Sequence, residues 1–236
     1  MNDPGTNPAP ARAHEDPADP ADPADASTPG PRPAGAAPEA APVRDAATPA
    51  DLAGIAELLG RVPRGVLGVA HRCSCGRPEV VETAPRLPDG TPFPTTYYLV
   101  DPFAAGAIST LEASGLMREM NERLAADPDL AAAHAAAHED YLRRRAALGD
   151  ADVPEIAGVS AGGMPTRVKC LHALAGHALA AGPGVNPFGD ETLQRLRELG
   201  GWPATCPHAA LPEHPRPAPA TGAGPATEPA PGPGPA

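Results

Sequence analysis

Side chains that could bind a metal or act as nucleophiles are concentrated in a few short stretches of this 236-residue chain. The stretch 160–187 contains two cationic groups, one thiol and two imidazoles: Arg167, Lys169, Cys170, His172 and His177. Two further thiols, Cys73 and Cys75, lie about a hundred residues earlier, and Cys206 lies near the end of the chain. Reactive groups at this density in a chain rich in alanine, proline and glycine indicate a functional site.

The stretch around Cys170 is predicted to form a helix that begins at Pro165 and ends near Gly182. At ~100° per residue, His177 lies about 20° from Cys170 around such a helix, whereas His172 lies about 160° away. We therefore expect Cys170 and His177 to share one face. His172 is expected to serve a neighbouring pocket or to support this pair.

A zinc site is the first hypothesis for these residues. The spacing Cys73-x-Cys75 is narrower than the Cys-x-x-Cys of most zinc knuckles, yet two nearby thiolates can still bind one metal ion. The candidate ligands are Cys73, Cys75, Cys170, His177 and Cys206. Such a site would connect both ends of the folded region to the predicted helix and add to its free energy of folding. Its role would be structural or interaction-related.

A Cys-dependent enzyme is the alternative. Glycine allows backbone N–H groups to turn towards an anion, and a helix N-terminus favours negative charge. The candidates for binding a small anionic substrate are Gly162, Gly163, Thr166, Arg167 and Lys169. Cys170 would then be the nucleophile and His177 its base, with His172 as a further catalytic candidate.

The elements that must position these residues are short strands followed by helices. β-Branched and aromatic runs predict strands near 66–70, 79–83 and 95–100. Helical spacing of apolar residues and proline- or aspartate-led starts predict helices over 51–60, 101–124, 127–148, 165–182 and 189–199. This order predicts an α+β fold in which a small, mostly antiparallel sheet of about three strands packs with four to five helices.

Both ends of the chain are predicted to be disordered. Residues 1–49 contain 12 prolines and no aromatic side chain, and residues 209–236 are similarly rich in proline, alanine and glycine. Neither segment has enough apolar surface to offset the entropy lost on ordering. One folded domain over 50–208 is therefore expected.

Charge and hydropathy exclude several classes of function. The net charge is −11 and no basic stripe is present, so nucleic-acid binding is not expected. No apolar run is long enough to span a membrane, so membrane insertion is not expected. The acidic N-terminus is unlike a signal peptide, which indicates a soluble cytoplasmic protein whose cysteines are thiols or metal ligands.

Two segments read HRCSCGRPEVVETAPRLPDGTPFPTTYYL and SAGGMPTRVKCLHALAGHALAAGPGVNPFGDE. With the residues between them, over about 58–206, they resemble domain of unknown function 501, an uncharacterised and mainly actinobacterial family. The resemblance implies a cytoplasmic protein whose gene tends to lie near those for enolase, a septum-formation initiator protein and an exopolyphosphatase-like enzyme. A third hypothesis is therefore a binding protein with a protein partner in cell division or envelope biology.

The resemblance also bears on the site. Cys73, Cys170, His172 and His177 fall on positions of the family pattern. Where the family has a cysteine after its Tyr-Tyr strand, this chain has Asp101. The resemblance implies that Asp101 either replaces that cysteine as an oxygen ligand or that the role has been lost.

Overall fold

The computed structural model describes residues 45–148 and 153–200, together with Trp202, Cys206 and His208. The tails predicted over 1–49 and 209–236 lie outside the described residues, except for 45–49. There, Asp45 forms a bridge to Val69 and the first helix begins at Pro49.

A three-stranded antiparallel sheet forms the first part of the fold. Its strands are β1 (Val66–Arg72), β2 (Pro78–Thr83) and β3 (Tyr97–Leu99), in the order β1-β2-β3. Central strand β2 is buried on both faces: Val80 belongs to the main core, and Val81 packs with Ile55 of the first helix.

Six α-helices occur among the described residues, so the α+β class predicted from the sequence is confirmed. They are α1 (Pro49–Leu59), α2 (Pro102–Ala113), α3 (Leu116–Ala126), α4 (Pro128–Ala146), α5 (Leu171–Ala181) and α6 (Pro187–Glu198). A 3-10 turn spans Pro154–Ile156. Four of the helices begin with proline, which has no N–H to leave unpaired at the first helical position.

Gly115 explains why the helix predicted over 101–124 is two helices. This residue lies between α2 and α3 and has a φ of 89°, a left-handed conformation that interrupts a right-handed helix. The number of helices therefore exceeds the four to five that the sequence predicts.

The predicted start of the helix around Cys170 is wrong. Helix α5 begins at Leu171, and Cys170 is its N-cap, with an extended backbone. Upstream, the carbonyl of Gly162 accepts hydrogen bonds from the backbone amides of Lys169 and Cys170. The side chain of Asn121 on α3 binds both the N–H and the carbonyl of Val168, each at 2.8 Å. These hydrogen bonds hold the segment in a non-helical path up to residue 170.

Helix α5 lies at the centre of the core. Leu171, Leu174 and Ala175 are fully buried among residues of β3, α2 and α6. Gly189 on α6 allows a close approach, since a Cβ there would lie 2.3 Å from the Leu174 carbonyl oxygen. The N-terminus of α5 lies beside α2, where the Leu171 N–H donates to Glu112 Oε1.

Candidate metal centre

The loop between β1 and β2 carries the first two thiols. The N–H of Cys73 donates to the Arg77 carbonyl, and the N–H of Gly76 donates to the Cys73 carbonyl, both at 2.8 Å. Gly76 has a φ of 93°, which a residue with a side chain rarely adopts. This tight turn places Cys73, which is buried, and Cys75, which is half-buried, at the end of the hairpin.

The C-terminal segment brings a third thiol and an imidazole to the same place. His208 Nδ1 lies 3.4 Å from Cys75 Sγ and 3.7 Å from Cys206 Sγ. The ligand atoms of Cys73, Cys75, Cys206 and His208, called the hairpin cluster below, all lie within 4.8 Å of one another. Tetrahedral zinc with Zn–S ~2.3 Å and Zn–N ~2.1 Å needs ligand separations of about 3.6–3.8 Å. The hairpin cluster could hold a metal ion.

Asp101 orients the imidazole of this cluster. Its Oδ2 lies 2.7 Å from His208 Nε2, and both side chains are almost fully buried. Its Oδ1 accepts hydrogen bonds from the backbone amides of Phe103 and Ala104 and so caps α2. With the Nε2 proton donated to Asp101, the Nδ1 lone pair is free to bind a metal, an arrangement common in metal sites. Asp101 thus supports a ligand and is not among the clustered ligand groups itself.

Burial opposes ionisation of Cys73 and Cys206. Desolvation raises the pKa of Cys73 to about 12, and the nearby charge of Glu79 adds to this effect. For Cys206, burial acts in the same direction, but hydrogen bonds from the His208 amide and from the other two thiols outweigh it and lower its pKa. Three sulfurs this close cannot all carry negative charge without a compensating cation.

The structure brings together three of the five metal ligands that the sequence predicts: Cys73, Cys75 and Cys206. Cys170 and His177 lie elsewhere. His208 takes part although the sequence reasoning did not select it. The spacing Cys206-x-His208, which parallels Cys73-x-Cys75, was the signal that could have identified it.

His177 is fully buried in the core and is engaged on both ring nitrogens. Its Nε2 lies 3.0 Å from Asp140 Oδ2, and its Nδ1 lies 3.2 Å from Asn186 Nδ2. Its ring stacks on Tyr97 with centroids 5.6 Å apart, and burial lowers its pKa. These contacts fit a neutral imidazole that joins α5 to α4 and α6. The predicted helical face shared with Cys170 does not exist, because Cys170 precedes the helix.

Cys170 lies instead beside His172 and Glu112, and these three residues are called the cavity cluster below. The ligand atoms of the cluster all lie within 4.8 Å of one another. The surroundings of His172 raise its pKa to about 9. The hydrogen bond with Cys170 has the largest effect, and the charge of Glu112 and the hydrogen bond to the Ala105 carbonyl add to it. No local pattern in the sequence links Glu112 on α2 to residues 60 positions later.

The residues of the predicted anion site all precede helix α5, which begins at Leu171. Gly162 and Gly163 form a turn eight residues or more before α5, and Gly163 accepts a hydrogen bond from the Arg167 amide through its carbonyl. The side chains of Thr166, Arg167 and Lys169 are exposed. Anion binding by these five residues stays a prediction.

No described helix is a candidate for spanning a membrane. Among the described residues, no helix combines the length and the apolar character that a membrane span requires.

Comparison with models of protein families gives a match. The family model described as protein of unknown function (DUF501) matches residues 69–194, more than half of the chain. This span includes Cys73, Cys75, Cys170 and His172, and it ends before Cys206 and His208. No curated protein and no solved structure matches the chain.

Proposed function

We propose that this chain, which belongs to the DUF501 family of proteins of unknown function, binds one zinc ion in the hairpin cluster and uses it as a structural clasp. The observation that carries the proposal is the convergence of four ligand atoms within 4.8 Å from two segments about 130 residues apart. Zinc is the metal that this donor set favours, because three thiolates and one imidazole are softer ligands than magnesium or calcium accept.

The number of protein ligands and their burial favour a structural role over a catalytic one. Structural zinc sites use four protein ligands, whereas catalytic sites leave one position for water or substrate. The hairpin cluster supplies four ligands, and Cys73 and His208 are only 6% and 3% exposed. Zinc would displace the thiol protons and balance the negative charge that burial otherwise disfavours.

The clasp would join three parts of the chain. Cys73 and Cys75 come from the β1–β2 loop, Cys206 and His208 from the C-terminal segment, and Asp101 from the start of α2. Trp202, which is 5% exposed, belongs to the main core and anchors the same C-terminal segment. Because this geometry does not exist in the unfolded chain, the free energy of metal binding adds to the free energy of folding.

The setting of this function is proposed from the sequence. A cytoplasmic protein would keep its thiols reduced and available to zinc. An interaction role, with a protein partner in the cell-division context that the family resemblance implies, would use the surface that the clasp stabilises. Capture of such a partner by the zinc-loaded chain, and its loss on chelation, would support that role.

The zinc content of the full chain tests the proposal. We expect Cys75→Ser to lose one zinc equivalent per chain relative to the wild type when both are purified without chelators and measured by plasma mass spectrometry. Ser74→Ala is the matched control: it changes the adjacent residue of the same loop, keeps all four ligands, and should keep its zinc. Equal zinc in Cys75→Ser and wild type would refute the proposal, as would a disulfide between Cys75 and Cys206 in the reduced cytoplasm.

A further inference from the structure

The cavity cluster combines three metal-binding groups from two helices with a neighbouring cavity. His172 Nδ1 lies 3.1 Å from Glu112 Oε1 and 4.0 Å from Cys170 Sγ. These separations are close to the ~3.4–3.6 Å that oxygen, nitrogen and sulfur ligands have around one tetrahedral zinc ion. We propose that Glu112, Cys170 and His172 form a second metal site, whose fourth coordination position opens to the cavity and binds a small ligand.

Hydrogen bonds outside the cluster hold two of its ligands in a metal-binding orientation. His172 Nε2 lies 3.0 Å from the Ala105 carbonyl oxygen and donates its proton there, so Nδ1 is the nitrogen that would bind the metal, with displacement of its own proton. The N–H of Leu171 donates to Glu112 Oε1 at 2.7 Å. Backbone and carboxylate partners of this kind fix the tautomer and direction of metal ligands.

Charge also fits a divalent cation. A Cys170 thiolate and the Glu112 carboxylate together carry two negative charges, which one divalent ion neutralises. Cys170 is the N-cap of α5, and Glu112 accepts a hydrogen bond from the first amide of that helix. The positive end of the helix dipole stabilises both anionic ligands.

The cavity is what distinguishes this site from the hairpin cluster. It has a volume of about 300 Å³ and is lined by Cys170 and His172 together with apolar side chains, among them Leu59, Leu99, Val100 and Ala105. Three protein ligands with an accessible fourth position are typical of catalytic zinc sites, where the metal polarises a bound oxygen or activates water. The ligand class that fits is a small molecule with an apolar body and one metal-binding oxygen.

Zinc titration of four forms of the full chain separates the two sites. After free zinc is removed, we expect two equivalents bound to wild type, one to Cys75→Ser, one to Cys170→Ala and none to the double variant. His172→Gln should match Cys170→Ala, which guards against an effect of either substitution on folding. Ser109→Ala is the matched control, since Ser109 contacts His172 Nε2 at 3.4 Å but is not a ligand.

Each outcome decides between the sites. Wild-type zinc content in Cys170→Ala and His172→Gln would overturn this inference and leave the hairpin cluster untouched. Loss of one zinc equivalent in these two variants, with no zinc lost in Cys75→Ser, would support this inference and refute the structural clasp. Alkylation of Cys170 by iodoacetamide at the same rate with and without zinc would also overturn it, because a metal-bound thiolate is protected.

Binding of acetohydroxamate tests the open coordination position of the cavity cluster separately. In the cobalt-loaded Cys75→Ser chain, whose metal resides in the cavity cluster, acetohydroxamate should shift the visible absorption bands of Co²⁺ by binding to the metal. Cobalt-loaded Cys170→Ala, whose metal resides in the hairpin cluster, should show no shift. Equal responses in the two variants would overturn the assignment of the open position to the cavity cluster.

Discussion

The two cysteine clusters of this molecule differ in how they are closed. The hairpin cluster has four ligands, and its imidazole is held by a carboxylate that is itself inaccessible to solvent. The cavity cluster has three ligands, each partly exposed, and lies beside a cavity of about 300 Å³. Similar donor atoms therefore suit different tasks: the first arrangement suits holding the chain together, and the second suits binding a ligand.

The sequence distance between ligands differs as well. The hairpin cluster joins the β1–β2 loop to the C-terminal segment, so it crosslinks regions about 130 residues apart in the sequence. The cavity cluster lies on α2 and α5, which are already packed in the main core through Ile108 and Leu171. Removing metal from the hairpin cluster should consequently cost far more stability than removing it from the cavity cluster.

Loss of the hairpin metal is expected to produce the largest effect. In a Cys75→Ser chain the free energy of unfolding should fall by about 4–5 kcal/mol, because loss of a metal is among the mechanisms that produce the largest single-substitution effects. The neighbouring Ser74→Ala should change it by less than about 1 kcal/mol, because it keeps all four ligands and removes only an exposed hydroxyl that lies 3.9 Å from Cys73 Sγ. Urea unfolding followed by circular dichroism measures both. If the free energy of unfolding fell as far in Cys170→Ala as in Cys75→Ser, the two clusters would not differ in their contribution to stability.

A smaller effect is expected from Asp101→Asn. Asparagine also caps helices well, so α2 should keep its start with Oδ1 on the Phe103 and Ala104 amides. The amide Nδ2, a donor, then replaces the Oδ2 that accepts the His208 Nε2 proton. Zinc affinity should fall by about 10–100-fold, the usual consequence of losing a partner behind a ligand histidine. Competition with a zinc-binding dye measures the change.

Asp127→Asn provides the control for that experiment. Asp127 caps α4 through the same type of hydrogen bonds to Asp129 and Leu130 amides, and it belongs to neither cluster. Its substitution should leave zinc affinity unchanged. An equal fall in both variants would show that helix capping, and not the orientation of His208, is responsible.

The sequence predicted the sheet and part of the hairpin cluster because their signals are local. Short β-branched runs and tight turns define the three strands, and Cys73-x-Cys75 lies directly after one of them. His208 was missed because a Cys-x-His pair next to a proline-rich tail was assigned to the end of the fold, although its partner Asp101 lies 107 positions earlier.

The cavity cluster could not be predicted in the same way. Glu112 meets Cys170 only because α2 packs beside α5, which is a tertiary contact without a sequence period. The helical wheel placed His177 next to Cys170 because it assumed a helix from Pro165. Asn121 on a distant helix holds Val168 in a non-helical conformation, so the helix starts later and His172 becomes the neighbour.

X-ray absorption at the zinc edge of the Cys170→Ala chain tests the central claim most directly, because that variant keeps only the hairpin site. We expect the zinc to be surrounded by three sulfurs at ~2.3 Å and one nitrogen at ~2.1 Å. A shell dominated by oxygen and nitrogen, or a protein that binds no zinc, would contradict the claim that these four residues form a structural metal centre.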